Sequence, residues 1–168
     1  MKIAIVSDSH DNLTTLKKVV NWLNQEKIKT MIHCGDVCSP LMLRETGKAY
    51  KGVVHLVFGN VDGDHFSMLN LERIEKIPNI RFYGKTGEIE IKDKKIAFTH
   101  ELLPAKGLAI SGKYDFVFYG HSHQPWEERM GNCRLVNPGT VGGMFNKASF
   151  AVYDTKTNKL ELKLVEKL

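Results

Sequence analysis

Lys2–Asp36 reads KIAIVSDSHDNLTTLKKVVNWLNQEKIKTMIHCGD, and the fold class rests on how its apolar residues are spaced. Lys2–Ser7 opens with an unbroken apolar run rather than an alternating one, the pattern of a strand covered on both faces. Asp11 or Asn12 then offers a side-chain oxygen to cap a helix. In that helix Leu13, Leu16, Val19, Val20 and Leu23 recur at helical spacing, while Lys17, Lys18 and Asn21 take the opposite face. Thr30–Cys34 returns to a short apolar run, ended by Gly35-Asp36. Strand, helix and strand in this order predict a βαβ unit with parallel strands.

The same grammar continues through a short helix to Val53–Phe58. Beyond Gly59 the register changes, with strands expected at Ile80–Tyr83, Gly87–Lys92, Lys95–Thr99, Phe116–Tyr119, Cys133–Val136 and Ser149–Asp154. One helix, Leu102–Ser111, is kept short by Pro104 and Gly107. Leu160, Leu162 and Leu164 alternate with Glu161 and Lys163 after the turn Thr155–Asn158, which predicts a closing hairpin. The expectation is an α/β fold of two packed mixed β-sheets flanked by helices. No repeat or linker interrupts residues 1–168, so a single domain is expected.

Composition narrows the function classes. The 168 residues, 42% hydrophobic and 26% charged, match an ordinary globular domain. A chain of this size buries roughly 70% of its unfolded surface, so a metal site here would serve chemistry before folding. The 24 basic and 19 acidic residues leave +5 but form no block of like charge, and nucleic-acid binding is unsupported. No apolar run reaches the roughly 18 residues of a membrane span, and no leader pattern follows Met1, so a cytoplasmic location is expected. The three cysteines are odd in number, and Cys34-x-x-x-Cys38 lacks a second pair, which reads as reduced, packed thiols. No glycine-rich nucleotide loop follows any expected strand.

Chemistry is written at the strand ends. Asp8 and His10 follow the first strand, Asp36 the second and Asn60 the third; His100 follows Lys95–Thr99, and His121 with His123 follows Phe116–Tyr119. In α/β sheets, ligand crevices open at the carboxyl ends of strands. Each segment alone reads as a turn, a helix cap or a pair of surface imidazoles. Their common position argues instead for one rim carrying seven oxygen and nitrogen donors.

Asp8-Ser9-His10, Gly35-Asp36, Gly59-Asn60-Val61-Asp62, Thr99-His100 and Gly120-His121-Ser122-His123 resemble the ordered motif set of the calcineurin-like metallophosphoesterases. Asn137-Pro138-Gly139-Thr140 is similar to the Asn-Pro-Gly-Ser segment of the small prokaryotic phosphodiesterases in that superfamily. The resemblance implies two divalent transition-metal ions, one on Asp8, His10, Asp36 and His123, the other on Asp36, Asn60, His100 and His121, with Asp36 bridging. Imidazole, carboxylate and amide together suit Mn, Ni, Fe, Zn or Co better than Ca or Mg. Asp36, Asn60 and His100 are expected to serve catalysis directly. The implied activity is hydrolysis of a small-molecule phosphodiester by a metal-bridging hydroxide.

At Val61 the chain departs from the wider superfamily, whose histidine there is held to protonate the leaving group or contact phosphate. Valine does neither. Asp62 keeps the acidic position beside it, and His65 is a nearby substitute whose plain reading is an exposed loop histidine. His33 and His55 are expected to be structural, and Trp22 partly buried. Trp126 is either a wall of the cleft or a loop anchor. A nuclease-like phosphoesterase and a non-enzymatic scaffold resembling the retromer subunit are the competing readings. A homo-oligomer is compatible with any of them.

Overall fold

Where the apolar residues of one strand point decides the architecture. A computed structural model describes residues 1–168. In β1 (Lys2–Val6), Ile3 and Ile5 enter the core between two sheets, while Ala4 and Val6 enter a core under helices. This double burial is why the run is continuous rather than alternating. After it come α1 (Leu13–Gln25), β2 (Thr30–His33), α2 (Pro40–Ala49), β3 (Val53–Leu56), α3 (His65–Leu69), α4 (Leu71–Glu75) and β4 (Ile80–Phe82). The second half holds β5 (Thr86–Ile91), β6 (Lys94–Thr99), α5 (Leu102–Ile110), β7 (Phe116–Phe118), β8 (Trp126–Met130), β9 (Cys133–Asn137), β10 (Ser149–Asp154) and β11 (Lys159–Leu164).

One sheet has the order β11-β10-β1-β2-β3-β4 and the other β5-β6-β7-β9-β8. Strands β1 to β4 are parallel to one another, as are β6, β7 and β9, and the remaining strands close the edges antiparallel. The expected pair of mixed sheets flanked by helices is therefore the observed fold. Between the sheets Ile3, Ile5, Ile32, Phe98, Phe116, Phe118 and Tyr153 form one core. Leu16, Val19, Val20 and Leu23 of α1 cover the outer face of the first sheet, and Ala105 and Ala109 of α5 cover the outer face of the second. Asn12 caps α1, its side chain accepting the Thr15 N–H at 3.2 Å.

Three elements differ from the sequence expectation. β8 is absent from it because WEERM has no apolar alternation; pairing with β9 supplies its order. α3 and α4 are too short to show a helical period, and they are held by burying Met68 and Leu71 in the core beneath α2. No helix is long and apolar enough to cross a membrane.

Candidate metal centre

All seven donors meet where the parallel strands of both sheets end. Asp8 and His10 come from the loop after β1, Asp36 from that after β2 and Asn60 from that after β3, all in the first sheet. His100 follows β6, and His121 and His123 follow β7, in the second sheet. Two groups result, Asp8 with His10 and His123, and Asp36 with His100 and His121, the candidate ligand atoms of each lying within 4.8 Å of one another. Asp36 sits between them, its Oδ2 3.2 Å from His100 Nε2 and 3.7 Å from His10 Nε2. Asn60 joins the second group, its Oδ1 2.9 Å from both His100 Nε2 and His121 Nδ1.

The backbone is bent to bring them together. Asp8, His10, Asp36, His121 and His123, five of the seven, have φ between +42° and +67°, a region that non-glycine residues enter only at a cost. The glycines beside them make room: a Cβ on Gly59 would land on the Asp36 carboxylate, and one on Gly120 on Ser7 Oγ.

Ring orientations suit cation binding. The His100 Nδ1–H donates to the Cys34 carbonyl at 2.8 Å, and the His123 Nδ1–H donates to the Met144 carbonyl at 3.2 Å, which leaves both Nε2 lone pairs facing inward. His10 Nε2 and His123 Nε2 approach to 3.1 Å, a spacing that suits two neutral imidazoles around one cation. A hydrogen bond to Asp8, working against burial, raises the pKa of His10. Burial alone would lower that of His100, but the Asp36 carboxylate outweighs it and the net direction is upward. Burial likewise pushes Asp36 up, and contacts with His100 and the Val61 N–H bring it net down. Carboxylates and imidazoles thus hold each other's charge, as expected of a donor set built to accept a cation.

Residues outside the donor set stitch the loops together. The Asp62 carboxylate accepts four backbone N–H groups: Asp36 at 3.1 Å, Val37 at 2.6 Å, Cys38 at 2.7 Å and Gly59 at 2.7 Å. So engaged it is an acceptor fixing the Asp36 loop and not a free acid. Sequence pattern alone assigns it no such role. The Asn137-Pro138-Gly139-Thr140 segment works on the other side. The Asn137 amide donates to the Gly120 carbonyl at 2.7 Å, and the Thr140 hydroxyl donates to the Asp8 carbonyl at 2.8 Å.

The other singled-out residues fall outside the donor set. His65 is exposed at the start of α3, its ring stacked on Phe58 at 4.1 Å. His33 is buried, accepting the Gly35 N–H at Nδ1 and bonding Ser9 Oγ through Nε2, and His55 meets the Tyr83 hydroxyl at 2.8 Å. Trp22 is half-buried against Phe150. Trp126 is 54% exposed and begins β8, so it is not a loop residue. Burial raises the Cys34 thiol well above its usual range and the Cys38 thiol to about 11, consistent with unreactive packing.

Two sheets packed face to face, with carboxylate, imidazole and amide donors gathered at the ends of their parallel strands, define a metallohydrolase-type centre. The chain belongs to the calcineurin-like phosphoesterase superfamily, whose domain model matches residues 1–158. It is 33% identical over 145 residues to phosphodiesterase MJ0936 of Methanocaldococcus jannaschii, an alignment covering 85% of this chain and 86% of that protein. A solved structure described as an archaeal phosphodiesterase superposes with a TM-score of 0.87 at 30% identity, covering 98% of this chain and 99% of the other. Vps29 of Entamoeba histolytica, solved with zinc, shares the fold alone: TM-score 0.68, 18% identity, 98% of this chain and 99% of the other.

Proposed function

We propose that the chain is a metal-dependent phosphodiesterase acting on a small-molecule diester. One observation carries the reading: Asp36 Oδ2 lies between two complete donor groups, within 3.7 Å of a histidine nitrogen of each. A carboxylate so placed suits two cations at once. Asp8, His10, Asp36 and His123 would hold one, and Asp36, Asn60, His100 and His121 the other. Mn, Ni, Fe, Zn and Co all fit this donor set. Bound there, divalent ions supply Lewis acidity toward water and toward the phosphoryl oxygens.

The chain's own residues do the rest. His100 and His123 turn their Nε2 atoms toward the centre by donating outward from Nδ1 to the Cys34 and Met144 carbonyls, which orients the rings as a cation would need them. Asp36 is held in place by the Val61 N–H at 3.1 Å and, through the backbone, by Asp62. At the position beside Asn60, Val61 is 45% exposed and has no proton to give. Charge on a departing oxygen must then be carried by the leaving group itself, which favours diesters with good leaving groups over monoester dianions. The name of the archaeal relative supports the same class. A scaffold role would leave the full donor set and its strained backbone without an explanation.

The test is metal content per chain together with hydrolysis of bis(p-nitrophenyl) phosphate before and after chelation. Two equivalents of metal, with activity lost on chelation and restored on reloading, are expected. A metal-free chain, or activity indifferent to chelator, overturns the reading.

A further inference from the structure

Phe145 is 87% exposed, belongs to none of the apolar cores, and yet is not on a free surface loop. Its ring centroid lies 5.4 Å from that of His123, tilted by 40°. The loop that presents it is tied to the donor residues at successive points. The Gly142 N–H donates to the Asp8 carbonyl at 3.0 Å, the Asn12 amide donates to the Gly142 carbonyl at 2.8 Å, and the Met144 carbonyl accepts from His123. Phe145 itself has φ +63°, a left-handed conformation that a bulky side chain rarely adopts. Isolated exposed apolar residues are ordinary on proteins. A ring in strained backbone, fastened to the donors and with its surface left to water, is built to meet something that comes to the site.

Resting on the phosphodiesterase reading, we propose that Phe145 is the platform on which the organic arm retained by the phosphate stacks, so that the site selects diesters carrying an aromatic or heteroaromatic group there. A diester brings two arms to the rim. Val61, which follows Asn60 in the chain, offers no flat face; Phe145 lies with its ring against His123. A contact made to a fixed ring serves the arm that keeps its place while the other bond breaks. Such stacking acts alike on ground and transition states, so it appears in KM rather than kcat.

The experiment compares p-nitrophenyl phenyl phosphate with p-nitrophenyl methyl phosphate, which share a leaving group and differ only in the retained arm. The wild type is expected to show a KM about five- to tenfold lower for the phenyl diester, the usual reach of one aromatic stack. Phe145→Ala should erase that preference, Phe145→Trp should keep it, and metal content and Tm should be unchanged in both. Calorimetric binding of phenylphosphonate against methylphosphonate to the metal-loaded protein reads the same preference without turnover. If neither diester is cleaved but the phosphonate preference is present and lost in Phe145→Ala, the platform stands and the hydrolase reading falls. Equal preference in wild type and Phe145→Ala, by KM or by calorimetry, overturns the platform.

Discussion

The Asp8–His10–His123 group and the Asp36–His100–His121 group draw on the same two sheets but are held by different parts of the chain. The first is tied from the segment after β9: Thr140 and Gly142 bond the Asp8 carbonyl, and Met144 orients His123. The second is tied from the loop after β3: Asp62 gathers the backbone around Asp36, and the Val61 N–H bonds its carboxylate. The first group is buried or half-buried throughout, whereas His121 leaves the second open to solvent. Each group nevertheless takes residues from both sheets, so a cation in either one would clamp the two sheets together at the ends of their strands. Supports can therefore be removed from one group at a time, while Asp36 stands between the two and the buried His33 braces the loops of both.

Asp36→Ala should have the largest effect: activity lower by about 10³-fold or more and metal lost from both positions, because one carboxylate serves two groups. Asn60→Ala should instead lower occupancy at one position. Elemental analysis decides, and two full equivalents of metal in Asp36→Ala would show that Asp36 is not shared between the two groups.

His33 touches Ser9, between Asp8 and His10, and Gly35, beside Asp36. Burial lowers its pKa from 6.5 to about 4, so the folded protein holds it neutral, with Nδ1 accepting the Gly35 N–H. As pH falls below 6.5 the unfolded chain takes up a proton at His33 that the folded chain refuses, so this residue's contribution to stability falls until about pH 4 and levels off below it. The loss is at most about 3 kcal/mol. Urea titrations across this range on metal-free protein should show the slope, and His33→Gln should flatten it; an unchanged slope would remove His33 from the account.

Asp62→Ala leaves four buried or half-buried N–H groups without their acceptor. Metal affinity at the Asp36 side should drop by about 10- to 100-fold, the range for residues that orient ligands, with the Asp8 side less affected. Titration with Mn²⁺ followed by paramagnetic resonance separates the two; equal weakening of both positions would mean that the supports are not independent. Val61→His should then raise the ratio of monoesterase to diesterase kcat/KM by about tenfold, short of the roughly 10²-fold or more that a well-oriented proton donor supplies, because Asp62 is already committed to the backbone and cannot orient the new ring. Thr140→Val, which removes one hydroxyl bond to the Asp8 carbonyl, should cost about 1 kcal/mol of stability and touch only the first group.

Legibility followed periodicity. Helix α1 and strands β1, β2 and β10 were readable because their residues repeat at 3.6 or run apolar between two buried faces. β8, α3 and α4 were not, because five residues with mixed polarity carry no period, and their order comes from β9 and from the core under α2. Among the donors, residue type and position after a strand were enough to nominate all seven. Asp62 is the residue that pattern misreads. A carboxylate next to an absent histidine reads as chemistry, and only its four N–H partners show that it is a backbone anchor.

The two-sheet α/β fold was legible in the sequence and the seven candidate donors could be nominated from it, since both rest on local pattern: where apolar residues recur, and which polar residues stand where strands stop. The division into two groups around Asp36 was implied by the family resemblance; the folded chain adds the distances at which Asp36 stands between them, which segment holds each group, and that Phe145 faces water beside His123. Those are distances between residues as far apart in the chain as Asp8 and His123, or Asn60 and His121. Local pattern carries no information about such distances until the sheets have packed and the loops have bent into their strained turns.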